Sequence, residues 1–87
     1  PKMRADGPKL LTAVADGLVK SGDYAGAIGY YDAALRIAPD YLEAKYKKAL
    51  AYKTSGDVET ANNLFTEIIT AAPEDKIAKE AQRERGY

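Results

Sequence analysis

The side chains of this sequence that are able to do chemistry are carboxylates and amines. Its 87 residues include no His and no Cys, so an imidazole base, a thiolate nucleophile and a zinc site of nitrogen or sulfur ligands are all ruled out. Two groups of residues remain. Asp23 and Asp57 each follow a Ser-Gly pair, Ser21-Gly22 and Ser55-Gly56, and four lysines crowd the run EAKYKKALAYK from Glu43 to Lys53. An Asp just ahead of a helical apolar pattern is placed to accept from the unpaired N–H groups of the first turn. Both aspartates therefore read as helix caps rather than acid–base catalysts. Phosphate binding by the lysine run would call for a glycine-rich loop, and none accompanies it. The run reads as a helix face, and the chain as no enzyme, with no cofactor and no metal.

The elements that must position these residues are helices. Apolar residues follow helical spacing throughout, and no stretch alternates as a half-buried strand would. A first helix is expected from near Pro8, whose missing N–H costs nothing in a first turn, to Lys20, where Gly22 ends it. A second runs from Tyr24 to Ile37, with Ala27, Tyr31, Ala34 and Leu35 on one stripe and Pro39 as its stop. A third begins after Asp40, which with Glu43 forms a capping-box pattern, and ends near Thr54. The fourth opens after Asp57, buries Ala61, Leu64, Phe65, Ile68 and Ile69, and stops before Pro73. The fifth, about Glu74 to Arg85, carries only a thin apolar stripe of Ile77, Ala78 and Ala81, as a closing helix would.

Composition sets the outer bounds. A chain of this length with 46% apolar residues has room for one small domain. Thirteen basic and thirteen acidic residues cancel, which argues against nucleic acid or anionic membrane as partner, including RNA contact at the lysine face or at Arg83 and Arg85. No apolar run is long enough to insert in a bilayer, and the opening PKMRADGP lacks the apolar core of a secretory signal. The absence of Cys leans toward an intracellular, cytoplasmic setting and leaves the compartment open. A chain that begins at Pro1 reads as an excised piece or a processed product.

The punctuation is written twice, and every pair keeps one constant offset. Ser21-Gly22-Asp23 recurs as Ser55-Gly56-Asp57, Ala27 as Ala61, Tyr31 as Phe65, and Ala38-Pro39 as Ala72-Pro73. On these residues and this period the chain resembles the tetratricopeptide repeat, a helix–turn–helix unit that stacks into a superhelix. Leu11, Val14, Ala15 and Leu18 with Ala27, Tyr31, Ala34 and Pro39 supply the first unit, and Ala49, Tyr52, Ala61, Phe65 and Pro73 the second. Lys45 and Lys48 stand where the family has large apolar residues, and Ile68 where it has a small one. The resemblance implies an all-α, right-handed superhelix of two antiparallel hairpins plus a terminal helix, with repeat one at 8–41, repeat two at 42–75 and a capping helix at 76–87 of a single domain, 1–87. Two repeats and a helix are few for such a stack, so a longer array or self-association is expected.

The resemblance also implies a function: noncatalytic binding of a peptide or helix of a partner protein on a concave face lined by the first helix of each unit. That face would receive Lys9, Thr12, Asp16 and Val19 from the first helix and Tyr46, Lys47, Leu50 and Lys53 from the third, edged by Glu80 and Glu84. Two apolar anchors beside three lysines suit an acidic or amphipathic segment. Tyr46 and Leu50 can equally be partial core beneath the last helix. The clamp that some relatives use for chaperone-tail carboxylates is not matched, because Thr12, Asp16 and Lys47 stand at its places and Asp16 repels a carboxylate. The alternative function is a self-associating scaffold, a homo-oligomer whose groove is filled by another copy. Among the seven tyrosines, Tyr31, Tyr52 and Tyr24 read as core and Tyr30 and Tyr41 as wetter.

Overall fold

The computed structural model describes residues 6–85, and the ends of the expected domain, with Tyr87, lie outside them. The described chain forms α1 (Asp6–Lys20), α2 (Tyr24–Ile37), α3 (Leu42–Ser55), α4 (Val58–Ala71) and α5 (Lys76–Arg85), with no strand among the described residues. None of these helices is long and apolar enough to cross a membrane.

Both hairpin turns are built by the same residues. Gly22 and Gly56 take φ values of +89° and +107°, a region that costs other L residues about 1–2 kcal/mol. After α1, Asp23 N–H bonds back to Leu18 O at 2.8 Å and Gly22 N–H to Val19 O at 3.0 Å; after α3, Asp57 N–H and Gly56 N–H bond to Tyr52 O at 2.9 Å and Lys53 O at 3.1 Å. These paired bonds satisfy the last free carbonyls of each helix. The Asp then starts the next helix: Asp23 accepts from Gly26 N–H at 3.0 Å and Asp57 from Thr60 N–H at 3.1 Å.

Three helix starts differ from the sequence-based expectation. α1 begins at Asp6 rather than near Pro8, which still lies in the first turn, and α5 begins at Lys76, where Asp75 accepts from Ile77 N–H at 2.8 Å. At α3 the expected Asp40–Glu43 capping box does not form. Its N-cap is Tyr41, with no side-chain hydrogen bond, because Tyr41 N–H closes a turn onto Ala38 O at 3.0 Å and leaves Asp40 one residue too early.

Successive helices pack on one another, with α5 also touching α3, in a slab of 44 × 30 × 16 Å. The first core cluster joins Ala15, Ala27, Tyr31 and Ala34 to Ala44 and Ala51 of α3. The second joins Ala49, Ala61, Phe65 and Ile68 to Ala78 and Ala81 of α5. Each hairpin is therefore closed by the leading helix of the next unit, through pairs of alanines that let the backbones come close. Tyr31, Phe65 and Ile68 are the largest fully buried side chains; each ring contributes on the order of 2–3 kcal/mol by burial. Val14 departs from the core pattern and is 48% exposed.

Lys45 and Lys48, the departures from an apolar pattern, are accommodated by ion pairs. Lys48 Nζ lies 2.6 Å from Asp32 Oδ1 of α2 and Lys45 Nζ 3.2 Å from Glu67 Oε1 of α4. Lys47 and Lys53 reach the other two neighbours, Asp16 of α1 at 2.8 Å and Glu84 of α5 at 2.9 Å. The central helix thus sends one lysine to each of the other four, its stems covering apolar surface and its heads reaching carboxylates at the rim.

Candidate functional site

The face formed by α1, α3 and α5 contains a shallow recess of ≈ 290 Å³ between α1 and α3. α1 contributes Asp16 and Val19, and α3 contributes Lys47, Leu50, Ala51 and Thr54, with Tyr31 of α2 beside them. Asp16, Val19, Lys47 and Leu50 are spaced along two different helices, and the stacking of α3 on the first hairpin brings them together. Apolar wall and ion pair stand side by side.

The polar side of the recess is organised by one carboxylate. Asp16 Oδ1 accepts the Tyr31 hydroxyl at 2.5 Å, and Asp16 Oδ2 accepts Lys47 Nζ at 2.8 Å. Lys47 Nζ also lies 3.5 Å from Glu43 Oε2. Burial, and then the hydrogen bond to Asp16, hold the Tyr31 phenol far above its usual pKa. The hydrogen bond from Lys47 to Asp16 raises the ammonium pKa against the opposing effect of burial. The Tyr31 hydroxyl and the Lys47 ammonium thus both donate to Asp16, one to each of its oxygens.

The remaining expected residues are dispersed. Lys9 is exposed beside a second recess of ≈ 360 Å³ that Pro8, Tyr41 and Glu43 also line. Thr12 is 4% exposed, and its Oγ1 donates to Pro8 O at 2.8 Å. Tyr46 packs on the second core with its ring centroid 5.9 Å from that of Phe65. That core includes Ala78 and Ala81 of α5, and burial first, then Glu84 and Glu80 of α5, raise the Tyr46 phenol pKa. Leu50 is half-buried, packed against that core and lining the recess as well. Lys53 Nζ donates to Glu84 Oε1 at 2.9 Å and to the Glu84 backbone O at 3.0 Å.

The amines expected to attract acidic groups are thus engaged within the molecule at Lys47 and Lys53. Sequence reasoning missed Tyr31 and Thr54 at the recess. Tyr31 carried a partial signal, since a tyrosine hydroxyl at a core position calls for a polar partner; which partner depends on how α2 lies against α1.

A tetratricopeptide repeat family model matches residues 18–84, from the last turn of α1 to the last turn of α5. Protein FlbA of Caulobacter vibrioides is 41% identical to this chain over 44 residues, which span 51% of this chain and 7% of that protein. The likeness is to a small part of a much longer chain.

Proposed function

The chain belongs to the tetratricopeptide repeat family, and on that premise we propose that it is a noncatalytic module holding a segment of a partner protein along its α1–α3–α5 face. The family generally mediates protein–protein interactions. The observation that carries the reading is the recess where Val19 and Leu50 form an apolar wall next to the Asp16–Lys47 pair. Such a site takes one apolar side chain of an extended or helical segment, while the ion pair offers a spare carboxylate lone pair and ammonium hydrogens to the segment's backbone or polar groups.

The partner is amphipathic rather than simply acidic. A ligand carboxylate would have to compete with Asp16 for Lys47 and with Glu84 for Lys53, each already within 2.9 Å of its partner. Exposed Lys9 remains at the α1 end for an acidic flank. The test is fluorescence anisotropy of labelled amphipathic peptides against the wild type and Leu50→Asp. Binding that Leu50→Asp weakens at least about tenfold, a cost near 1.4 kcal/mol, supports the reading. A full panel without binding, or binding unchanged by Leu50→Asp, overturns it.

A further inference from the structure

The two recesses lie on one seam, between α1 and α3. The larger, of ≈ 360 Å³, takes Pro8 and Lys9 from the opening turn of α1, Asp40 and Tyr41 from the α2–α3 connection, and Glu43 from the opening turn of α3. The smaller, of ≈ 290 Å³, takes later turns of the same helices, with Val19 and Leu50 as its apolar wall. Both open on one side of the molecule, because Lys9 and Asp16 share a row of α1 and Glu43, Lys47, Leu50 and Thr54 share a row of α3. Lys47 stands between the recesses, its Nζ 2.8 Å from Asp16 Oδ2 and 3.5 Å from Glu43 Oε2.

Counted along either helix, the centres of the recesses are about nine residues apart, which at 1.5 Å per residue is about 13 Å. That distance separates the two shapes a bound segment can take. In an α-helix about nine residues make two and a half turns, so a second side chain at that distance points away from the groove. The helical spacings that return to the same side, about seven and about eleven residues, fall about 3 Å short or long. In an extended segment four residues cover about 13 Å, and the period of two brings the fifth side chain back to the face of the first.

We infer that the partner segment lies extended along the α1–α3 seam, with apolar side chains four residues apart in the two recesses and a lysine or arginine midway. The inference rests on the groove reading and adds shape, spacing and charge to it. In an extended segment the middle side chain also faces the seam, where it lies over Asp16, Glu43 and Lys47. Those three groups sum to one negative charge, and a cation above them completes the balance. Lys47 need not leave, because each carboxylate has further lone pairs with which to accept the incoming donor. At the outer rim Lys9 and Asp40 carry opposite charges and leave that balance unchanged.

The test is fluorescence anisotropy with fluorescein-labelled, end-blocked peptides. The first carries the core Leu-Ser-Lys-Ser-Leu between serines. A second lengthens that core by one serine, which turns its last leucine to the opposite face, and a third is an alanine-rich helix with leucines seven residues apart. The first should bind the wild type at least about tenfold more tightly than either of the others, the loss expected when one apolar anchor is no longer buried. Glu43→Lys, a change at an exposed position, makes the middle of the seam positive and should turn its preference from the first peptide to the counterpart with glutamate in place of lysine. No binding of the first peptide, or binding of the lengthened or helical peptide as tight as that of the first, overturns the inference. So does a lysine-over-glutamate preference that Glu43→Lys leaves unmoved. Leu50→Asp separates this failure from that of the groove reading: a lengthened or helical peptide that binds best and is weakened by Leu50→Asp removes the extended shape and leaves the groove standing, whereas binding indifferent to Leu50→Asp removes the groove itself.

Discussion

Tyr31 and Asp16, fifteen residues apart on antiparallel helices, are joined by a hydroxyl–carboxylate hydrogen bond of 2.5 Å at the edge of the first core. The second repeat has Phe65 at the place of Tyr31 and makes no such bond; its ring meets Tyr46 instead. The same position thus serves as pure packing in one repeat and as packing with a polar tether in the other.

Tyr31→Phe keeps the ring and removes the tether, leaving Asp16 paired with Lys47. The expected loss is about 1 kcal/mol, read as a lower urea midpoint at pH 7. Asp16→Ala should cost more, because it strands the Tyr31 hydroxyl and leaves the Lys47 ammonium only its 3.5 Å pair with Glu43. A double-mutant cycle isolates the coupling, and equal losses for the two single variants would contradict the shared role of Asp16.

The raised pKa values of Tyr31 and Lys47 set an alkaline limit. Each group has a higher pKa folded than unfolded, so the folded state binds more protons once the unfolded phenol, with its ordinary value of 10.0, begins to ionise. Stability from these groups is fully present below that range and is lost as pH rises through the folded values. Urea midpoints should hold level up to pH about 9 and decline beyond it. In Tyr31→Phe the decline should be shallower, and an identical slope in the two proteins would remove Tyr31 as its source.

The α3 lysines predict a small effect. Lys48 and Asp32 form a 2.6 Å pair with side chains 20% and 42% exposed, a setting in which ion pairs are worth little. Lys48→Leu should change stability by less than about 1 kcal/mol in low salt. It should also reduce the sensitivity of thermal unfolding to added salt. A large destabilisation would mean that the pair, rather than the lysine stem, holds α3 on α2.

Gly56 is strained only for other residues. Its φ is +107° and a Cβ there meets nothing within 4 Å, so a substitution costs conformation and not space. Gly56→Val should lower stability by about 1–2 kcal/mol. Gly56→Asn should cost less, because Asn tolerates the left-handed region. Thermal unfolding that ranked the two alike would argue against the left-handed turn.

Helix order and both hairpin turns were legible because Gly, Asp and Pro act locally: Gly22 and Gly56 supply the positive φ, and Asp23 and Asp57 cap within three residues. The start of α3 was not, because a backbone turn from Tyr41 to Ala38 displaced the side-chain cap. At the recess, Asp16, Val19, Lys47 and Leu50 could be grouped through the repeat offset. Their electrostatics could not, since Lys47 and Lys53 each find carboxylates 31 residues away, a matter of how helices stack. The burial of Thr12 was not legible either: a threonine in a helix can turn its hydroxyl back to the preceding turn, as Thr12 does onto Pro8 O.

Tyr46 decides whether α5 is clasped or merely appended. Its ring lies 5.9 Å from that of Phe65 beside α5, with burial first and then Glu84 and Glu80 raising its phenol pKa. Removing the ring should therefore weaken the hold on α5 more than that on α1 and α2. Tyr46→Ala is expected to cost about 2 kcal/mol, less than the 3–5 kcal/mol of a fully buried ring because the side chain is half-buried. Hydrogen exchange at Ala78 and Ala81 should accelerate, while exchange at Ala27 and Ala34 changes little. Tyr46→Phe keeps the ring contact and should stay within about 1 kcal/mol of the wild type. If Tyr46→Ala left α5 exchange untouched, the alanine pair Ala78 and Ala81 would be sufficient to hold that helix, and Tyr46 would be free to meet a ligand.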